Sequence, residues 1–344
     1  MDQMTAKERV IAAFSRMPID RPAVISPTSV ATVESMKAVG ASFPDAHYDA
    51  KKMAALAAAG HDLLGFDNVA PYYSVQLESA AFGATMVWGQ IDTMPAIRSH
   101  PFKEPGDFCM PADFLDRPVI KALLDCIRIL RNRYGDEVAV CGKVMGPWTL
   151  SYNLYGVDNF LVDLIVEPES ARAFLQAFKE VSISFALAQI EAGADMITWA
   201  DHATGDMVSP QMYEEFLFPV HQQCASELKA RMPRDVPVIL HTCGRTIDRM
   251  PLFAQTGFDA FHFDSKNDLS EAREAVGDKM LLTGCVSNVE VLLNGCEVDV
   301  RRQVTEIVNA GITLVSPECA VPCLVKNDNL RAIVETVKRL GDVY

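Results

Sequence analysis

Residues 236–246 read VPVILHTCGRT, a short apolar run that ends on His241 and Cys243 and is followed by Gly244 and Arg245. The run lacks polar alternation, as does a strand buried on both faces of a parallel sheet. Helical stretches flank it at 210–232 and 246–254. The same unit repeats outward. Upstream, the run 194–200 follows a helical stretch at 170–192; downstream, the runs 258–263, 280–285 and 312–315 alternate with helical stretches at 269–276 and 299–309. Ala192-Gly193, Thr256-Gly257 and Ala310-Gly311 precede these strands, glycine supplying the left-handed cap that stops a helix. Three more runs, 22–26, 68–73 and 138–144, bring the strand count to eight. Thr5 and Glu8 stand in capping-box spacing and open a helix over 5–16, which the prolines of MPIDRP end. Alternating β and α without a break in composition predicts one α/β domain over 1–344. Eight strands favour a (β/α)₈ TIM barrel with an N-terminal helical extension.

The bulk properties narrow the function classes. The chain has 344 residues, 49% of them hydrophobic, with a formal net charge of −14. A phosphate backbone wants a basic surface, so nucleic acid is not the expected partner. No uninterrupted apolar run is long enough to span a bilayer, and the N-terminus lacks the basic-then-apolar pattern of a secretory signal. The expected compartment is the cytoplasm. Nine cysteines scattered singly read as reduced thiols, some free to bind metal.

A barrel carries its chemistry at the carboxyl ends of its strands. There the sequence places His241-Thr242-Cys243, then Asp264, Gly284-Cys285 and Ser316-Pro317-Glu318-Cys319, and earlier Asp201-His202 and Gly146-Pro147-Trp148. Residues i and i+2 of an extended segment face the same side, so an imidazole and a thiol of His-x-Cys can converge on one ion. Catalytic zinc takes three protein ligands and keeps one position open. Cys319, at the end of the last strand, is the best third ligand; Cys285 and Cys323 are the other candidates. The remaining cysteines at 109, 126, 141, 224 and 296 read as small core or surface residues. Lys143 and Arg245, near strand ends, suit an anionic group, with solvated surface placement the ordinary alternative.

These motifs, in their order along the chain, resemble the uroporphyrinogen decarboxylase superfamily, and within it the zinc-dependent methylcobamide:coenzyme M methyltransferases. The likeness runs from TAKERVIAAFSRMPIDRPAV (5–24) and VESMKAVGASFPDAHYDAKKMAALA (33–57) through EAGADMITWAD (191–201), LHTCG (240–244), GFDAFHFD (257–264) and LLTGCVS (281–287) to SPECAVP (316–322). It implies Zn²⁺ on His241, Cys243 and Cys319. Glu318 stands where such proteins often have glycine, and is expected to contact substrate or face solvent. The decarboxylase branch fits less well, because its early arginine-rich segment is replaced by SPTSVATVES (26–35).

The resemblance implies transfer of a methyl group from a methyl-cob(III)amide to a thiol such as coenzyme M. Transfer to tetrahydrofolate and transfer from a methyl donor to a corrinoid protein are the alternatives. A non-catalytic barrel, its zinc site closed by Glu318 or Cys323, is a further one. His202 or Asp264 would handle the thiol proton, Asp201 would orient a ligand or contact substrate, and Gly146 and Trp148 would face the corrin. Asp201-His202-Ala203-Thr204-Gly205 keeps His-x-x-Gly but misplaces the aspartate of the corrinoid-binding signature Asp-x-His-x-x-Gly. The corrinoid is therefore expected on a separate protein, and a homodimer is compatible with the sequence.

Overall fold

The computed structural model describes residues 3–341. Its barrel strands are β1 (Ala23–Val24), β2 (Asn68–Val69), β3 (Ala139–Met145), β4 (Met196–Ala200), β5 (Val238–His241), β6 (Ala260–His262), β7 (Leu281–Val286) and β8 (Leu314–Pro317). All pair in parallel, in the order β1-β8-β7-β6-β5-β4-β3-β2, and helices cover the outside. Five strands lie inside the runs read from sequence; β3 and β7 overrun theirs by one residue and β8 by two.

The ring closes between β1 and β2 without a strand ladder. Asp67 N–H donates to Val24 O at 2.7 Å, and Val24 N–H donates to Asp67 Oδ2 at 2.7 Å. One step on, Asn68 mimics a backbone partner: Ser26 N–H donates to its Oδ1 at 2.7 Å and its Nδ2 donates to Ser26 O at 2.9 Å. Asn68→Ala strands two buried backbone groups. We expect a loss of about 2–3 kcal/mol, measured by urea denaturation.

The lumen is layered. Its lower layer is apolar: Ala23, Ile25, Ala70, Ala139, Cys141, Met196, Ile239, Ala260 and Leu314, plugged from below by Val10 and Ala13 of the helix Ala6–Phe14. That helix starts in the expected Thr5/Glu8 capping box. Arg9 ties it to Asp20 and Asp67 at 2.7 Å each, while Arg21 also reaches Asp67. Two residues up each strand the layer turns polar: Tyr72, Lys143, Thr198, His241, His262, Thr283 and Ser316, all buried. Strand alternation keeps residues i and i+2 on one face, so this polar ring also lines the lumen.

Two helical readings need adjustment, and one hairpin was not read. The stretch 210–232 is interrupted by a π-turn, Tyr213–Leu217, before the helix Phe218–Arg231. Pro219 has no N–H to offer Glu215 O, and Arg172 Nη1 donates to that carbonyl instead, at 3.2 Å. The stretch 246–254 is two short turns, Ile247–Arg249 and Met250–Phe253. Between β2 and the helix Pro118–Tyr134 lies a two-stranded hairpin, Thr85–Val87 with Ala96–Ser99, which no sequence pattern announced.

His47 sets a pH dependence away from the barrel mouth. It is buried, stacked on Phe43 at 4.1 Å, and neither ring nitrogen has a partner. Burial pushes its pKa down to about 4. The unfolded chain, with a histidine pKa near 6.5, therefore binds more protons below that pH, and stability falls as pH drops from about 6.5 to 4. His47→Phe keeps the stack; unfolding measured across this window should show about 3 kcal/mol less acid-side loss.

Candidate metal centre and its surroundings

β5 ends on His241, and Cys243 follows two residues later in extended chain. Cys319 arrives from the turn after β8. Cys243 Sγ lies 3.1 Å from His241 Nε2 and 3.1 Å from Cys319 Sγ, and Cys319 Sγ lies 3.5 Å from His241 Nε2. Zinc–sulfur bonds of about 2.3 Å and zinc–nitrogen bonds of about 2.0–2.1 Å at tetrahedral angles put donors roughly 3.5–3.8 Å apart. The triangle needs a few tenths of an ångström of expansion to take such an ion, and its N, S, S chemistry suits one. His241 Nδ1 sits 3.2 Å from His262 O, and a proton donated there leaves Nε2 as the ligand atom. His262 is itself fixed by Nε2–H donating to Pro317 O at 2.7 Å.

The two thiols share their protons unequally. Cys319 is held well below the usual thiol range, first by the hydrogen bond from Cys243 and also by His241; Cys243 is pushed up by that same bond and by burial. A divalent cation would displace both protons, because only thiolates ligate. Cys285 and Cys323 stand apart from this cluster. Both are buried, and burial raises the Cys285 thiol to about 12.

His202 also reaches the centre. One of its ring nitrogens lies within 4.8 Å of ligand atoms of His241 and Cys243, a group able to hold a metal ion. Burial, assisted by His241, pushes its pKa down to about 4, so the ring is neutral at pH 7. Tyr152 OH meets its Nδ1 at 3.1 Å, and Thr149 Oγ1 accepts its backbone N–H at 2.9 Å. Thr149 belongs to the family likeness around Gly146-Pro147, whereas no sequence pattern pointed to Tyr152.

The carboxylates at the strand ends are engaged with backbone. Asp264 accepts from Gly244 N–H and Lys266 N–H, both at 2.9 Å, and so pins the residue after Cys243. Glu318 accepts from Asn288 N–H at 2.7 Å and Ser265 N–H at 3.0 Å, joining the loops after β6 and β7. It is buried, where facing solvent had been one of the two expectations, and burial raises its pKa. Asp201 is fully buried behind the centre. Its Oδ1 accepts from Thr149 N–H at 2.7 Å and Thr149 Oγ1 at 2.9 Å, and its Oδ2 from Trp148 N–H at 3.3 Å and His221 Nε2 at 3.0 Å.

Gly146 and Trp148 take packing roles in place of the expected corrin contact. A Cβ on Gly146 would stand 2.3 Å from Asp201 Oδ2, so only glycine lets the helix Pro147–Tyr155 approach that carboxylate. Trp148 is fully buried edge-on to Phe160 at 4.9 Å and offers no face to a ligand. Arg245 is exposed, whereas Lys143 is in the lumen rather than on the surface.

This architecture has close counterparts. The profile of the uroporphyrinogen decarboxylase (URO-D) family matches residues 5–340. The chain belongs to that family. It is similar to methylcobamide:CoM methyltransferase MtbA of Methanosarcina acetivorans, 30% identical over 98% of this chain and 99% of the relative. A similar likeness holds for methylcobamide:CoM methyltransferase MtaA of Methanosarcina barkeri, 30% identical over 97% and 98%. The solved structure of a methyltransferase from Methanosarcina mazei superposes with a TM-score of 0.94 at 30% identity, covering 98% of this chain and 99% of that one. The uroporphyrinogen decarboxylase of Crocosphaera subtropica matches 72% of this chain at 29% identity. Full-length likeness to methyltransferases supports methyltransferase as the enzyme class. Among the described residues no helix is long and apolar enough to cross a membrane.

Proposed function

We propose that this enzyme moves a methyl group from a methylcobamide, brought to the barrel mouth by a separate corrinoid protein, to a small thiol. The observation that carries the reading is the convergence of His241, Cys243 and Cys319 to within 3.5 Å of one another at the strand ends. These three would hold Zn²⁺. A bound zinc ion lowers the pKa of an acceptor thiol and keeps the thiolate nucleophilic at neutral pH. Two thiolate ligands and a neutral imidazole balance its charge, so the acceptor's sulfur keeps high electron density.

The chain's own groups do the rest. His262 O orients His241, Asp264 fixes the turn after Cys243, and Tyr152 holds His202 with a ring nitrogen toward the ligand atoms. His202 would receive a hydrogen bond from the incoming thiol or relay its proton. The methyl–cobalt bond breaks heterolytically as the carbon–sulfur bond forms, the electron pair staying on cobalt as cob(I)amide.

A second reading has a specific support. A relative named methylated-thiol–coenzyme M methyltransferase, from Methanosarcina mazei, is 29% identical over 98% of this chain and 90% of its own length. In that reading a methylated thiol is the donor and the corrinoid receives the methyl group.

The test is a single-turnover reaction with free methylcobalamin, followed by cobalamin absorbance, with zinc measured on the same samples. Thiol-dependent loss of the methylcobalamin spectrum supports the proposal. No turnover with any thiol by fully zinc-loaded protein rejects it, and methylation of cob(I)alamin by a methyl thioether then selects the second reading.

A further inference from the structure

His221 and Tyr213 are fully buried polar residues that the reaction described above leaves without a task. Their contacts form one line that ends on Asp201. His221 Nε2 lies 3.0 Å from Asp201 Oδ2, and its Nδ1 lies 3.0 Å from the Tyr213 hydroxyl. A carboxylate only accepts, so Nε2 carries the proton and Nδ1 is left to accept from Tyr213 O–H. Burial pushes that hydroxyl well above the usual phenol range, which keeps it a donor. Phe258 lies edge-on to the imidazole at 5.7 Å, and Phe253 edge-on to the Tyr213 ring at 5.0 Å. The two polar rings are thus held in an aromatic wall and aimed at a single carboxylate.

The π-turn Tyr213–Leu217 makes this alignment. Tyr213 and His221 stand eight residues apart. At about 100° per residue, an unbroken α-helix would set such a pair roughly 80° out of line. A π-turn absorbs one residue more, and the same separation then comes within about 20° of one face. The rings end 5.8 Å apart, centroid to centroid. Such turns inside helices occur frequently at functional sites.

Asp201 carries the order inward. Its Oδ1 accepts from Thr149 N–H and Oγ1, and Thr149 Oγ1 accepts in turn from His202 N–H at 2.9 Å. The backbone of Asp201 braces the ligand strand as well. Its N–H donates to His241 O at 2.9 Å, and its carbonyl accepts from Thr242 Oγ1 at 2.8 Å. Trp148 N–H shares Oδ2 with His221 but is longer, at 3.3 Å. His221 is therefore the stronger donor keeping Oδ2 turned outward and Oδ1 on Thr149.

Resting on the reading in which His202 meets the incoming thiol, we propose that His221, set in line by the π-turn and by Tyr213, is a positioning residue for methyl transfer. Through Asp201 and Thr149 it fixes His202 beside the metal ligands. It touches neither substrate nor metal, and it moves no proton in this scheme.

The test compares zinc-loaded wild type, His221→Phe, His221→Gln and Tyr213→Phe, each checked for zinc content and melting temperature. Methyl transfer from methylcobalamin to 2-mercaptoethanesulfonate is measured well below the melting transition. Histidine-selective ¹⁵N NMR reads the rings on the same samples, the His202 resonances being identified by their loss in His202→Gln. His221→Phe should lower kcat by about tenfold, with zinc content and the KM for the thiol unchanged. Its His202 resonances should shift or broaden. His221→Gln, whose amide N–H can reach Oδ2, should recover most of the rate. Tyr213→Phe deletes one oxygen from an aromatic wall and so keeps the test open even where His221→Phe fails to fold; its rate should fall between wild type and His221→Phe. Combined with His202→Gln, His221→Phe should cost nothing further, because both changes act on one group. A lower melting temperature with unchanged kcat and unchanged His202 resonances overturns the proposal, and so do losses that multiply in the double variant. If no thiol is methylated, the thiol-transfer reading falls, while a His202 resonance that still responds to His221→Phe upholds the positioning.

Discussion

Cys319→Ala is expected to empty the metal centre and abolish methyl transfer while leaving the barrel folded. The substitution removes one of three converging donors and leaves Cys243 and His241, whose remaining bite is that of a weak two-ligand site. Loss of groups that merely orient ligands costs about 10–100-fold in metal affinity, so loss of a ligand should exceed that. Zinc in the purified variant should fall below stoichiometric after dialysis against a weak chelator that wild type survives, and methylcobalamin turnover should fall with it. Cys285→Ala is the matched control, since Cys285 is buried outside the cluster. It should keep zinc and lose only packing.

His202→Gln sharpens the same experiment. His202, His241 and Cys243 also form a group able to hold an ion. If Cys319→Ala keeps its zinc and His202→Gln loses it, the ligand set proposed above is wrong and Cys319 is a bystander. With Cys319 as ligand, His202→Gln should keep zinc and slow the reaction.

The barrel was legible because its strands are buried on both sides and so read as uniform apolar runs. Glycine stops marked the second half especially well. His241 and Cys243 were legible for a local reason, their i, i+2 spacing at a strand end. Cys319 was harder, because Cys285 and Cys323 are candidates of the same kind; its place at the end of the last strand favoured it, and the family likeness agreed. What the sequence hid was long-range. Asp201 and Glu318 look like free active-site acids by position, yet backbone N–H groups from distant loops occupy their oxygens. Trp148 follows a strand end as a mouth residue should, but the helix it starts turns it into the core. The importance of Asn68 depends on β1 and β2 failing to pair, which no one-dimensional pattern records. Lys143 shows the reverse error: lysine defaults to the surface, and only alternation along β3 places it in the lumen.

Asp201→Ala should be the most destabilising single change near the centre. The carboxylate is fully buried and accepts from two backbone N–H groups, a hydroxyl and an imidazole, at 2.7–3.3 Å. Removing it leaves four donors facing a cavity, and breaking a buried charged network by deleting one partner costs about 3–5 kcal/mol. In a chain of this size that corresponds to a melting-temperature drop of roughly 4–7 °C. The damage should also travel to the chemistry. Thr149 is held by Asp201 and in turn holds the backbone of His202, while Tyr152, one helical turn's reach away, holds the His202 ring. A helix Pro147–Tyr155 freed at its N-terminus loosens both contacts. Turnover measured well below the melting transition should therefore fall in Asp201→Ala even with zinc bound. Asp201→Asn separates the two roles: its one carbonyl oxygen can still accept from Thr149, so the rate should recover more than the stability, whose His221 contact then faces an amide. Full activity in a folded Asp201→Ala protein would mean that His202 needs no positioning, and would remove it from the proposed chemistry.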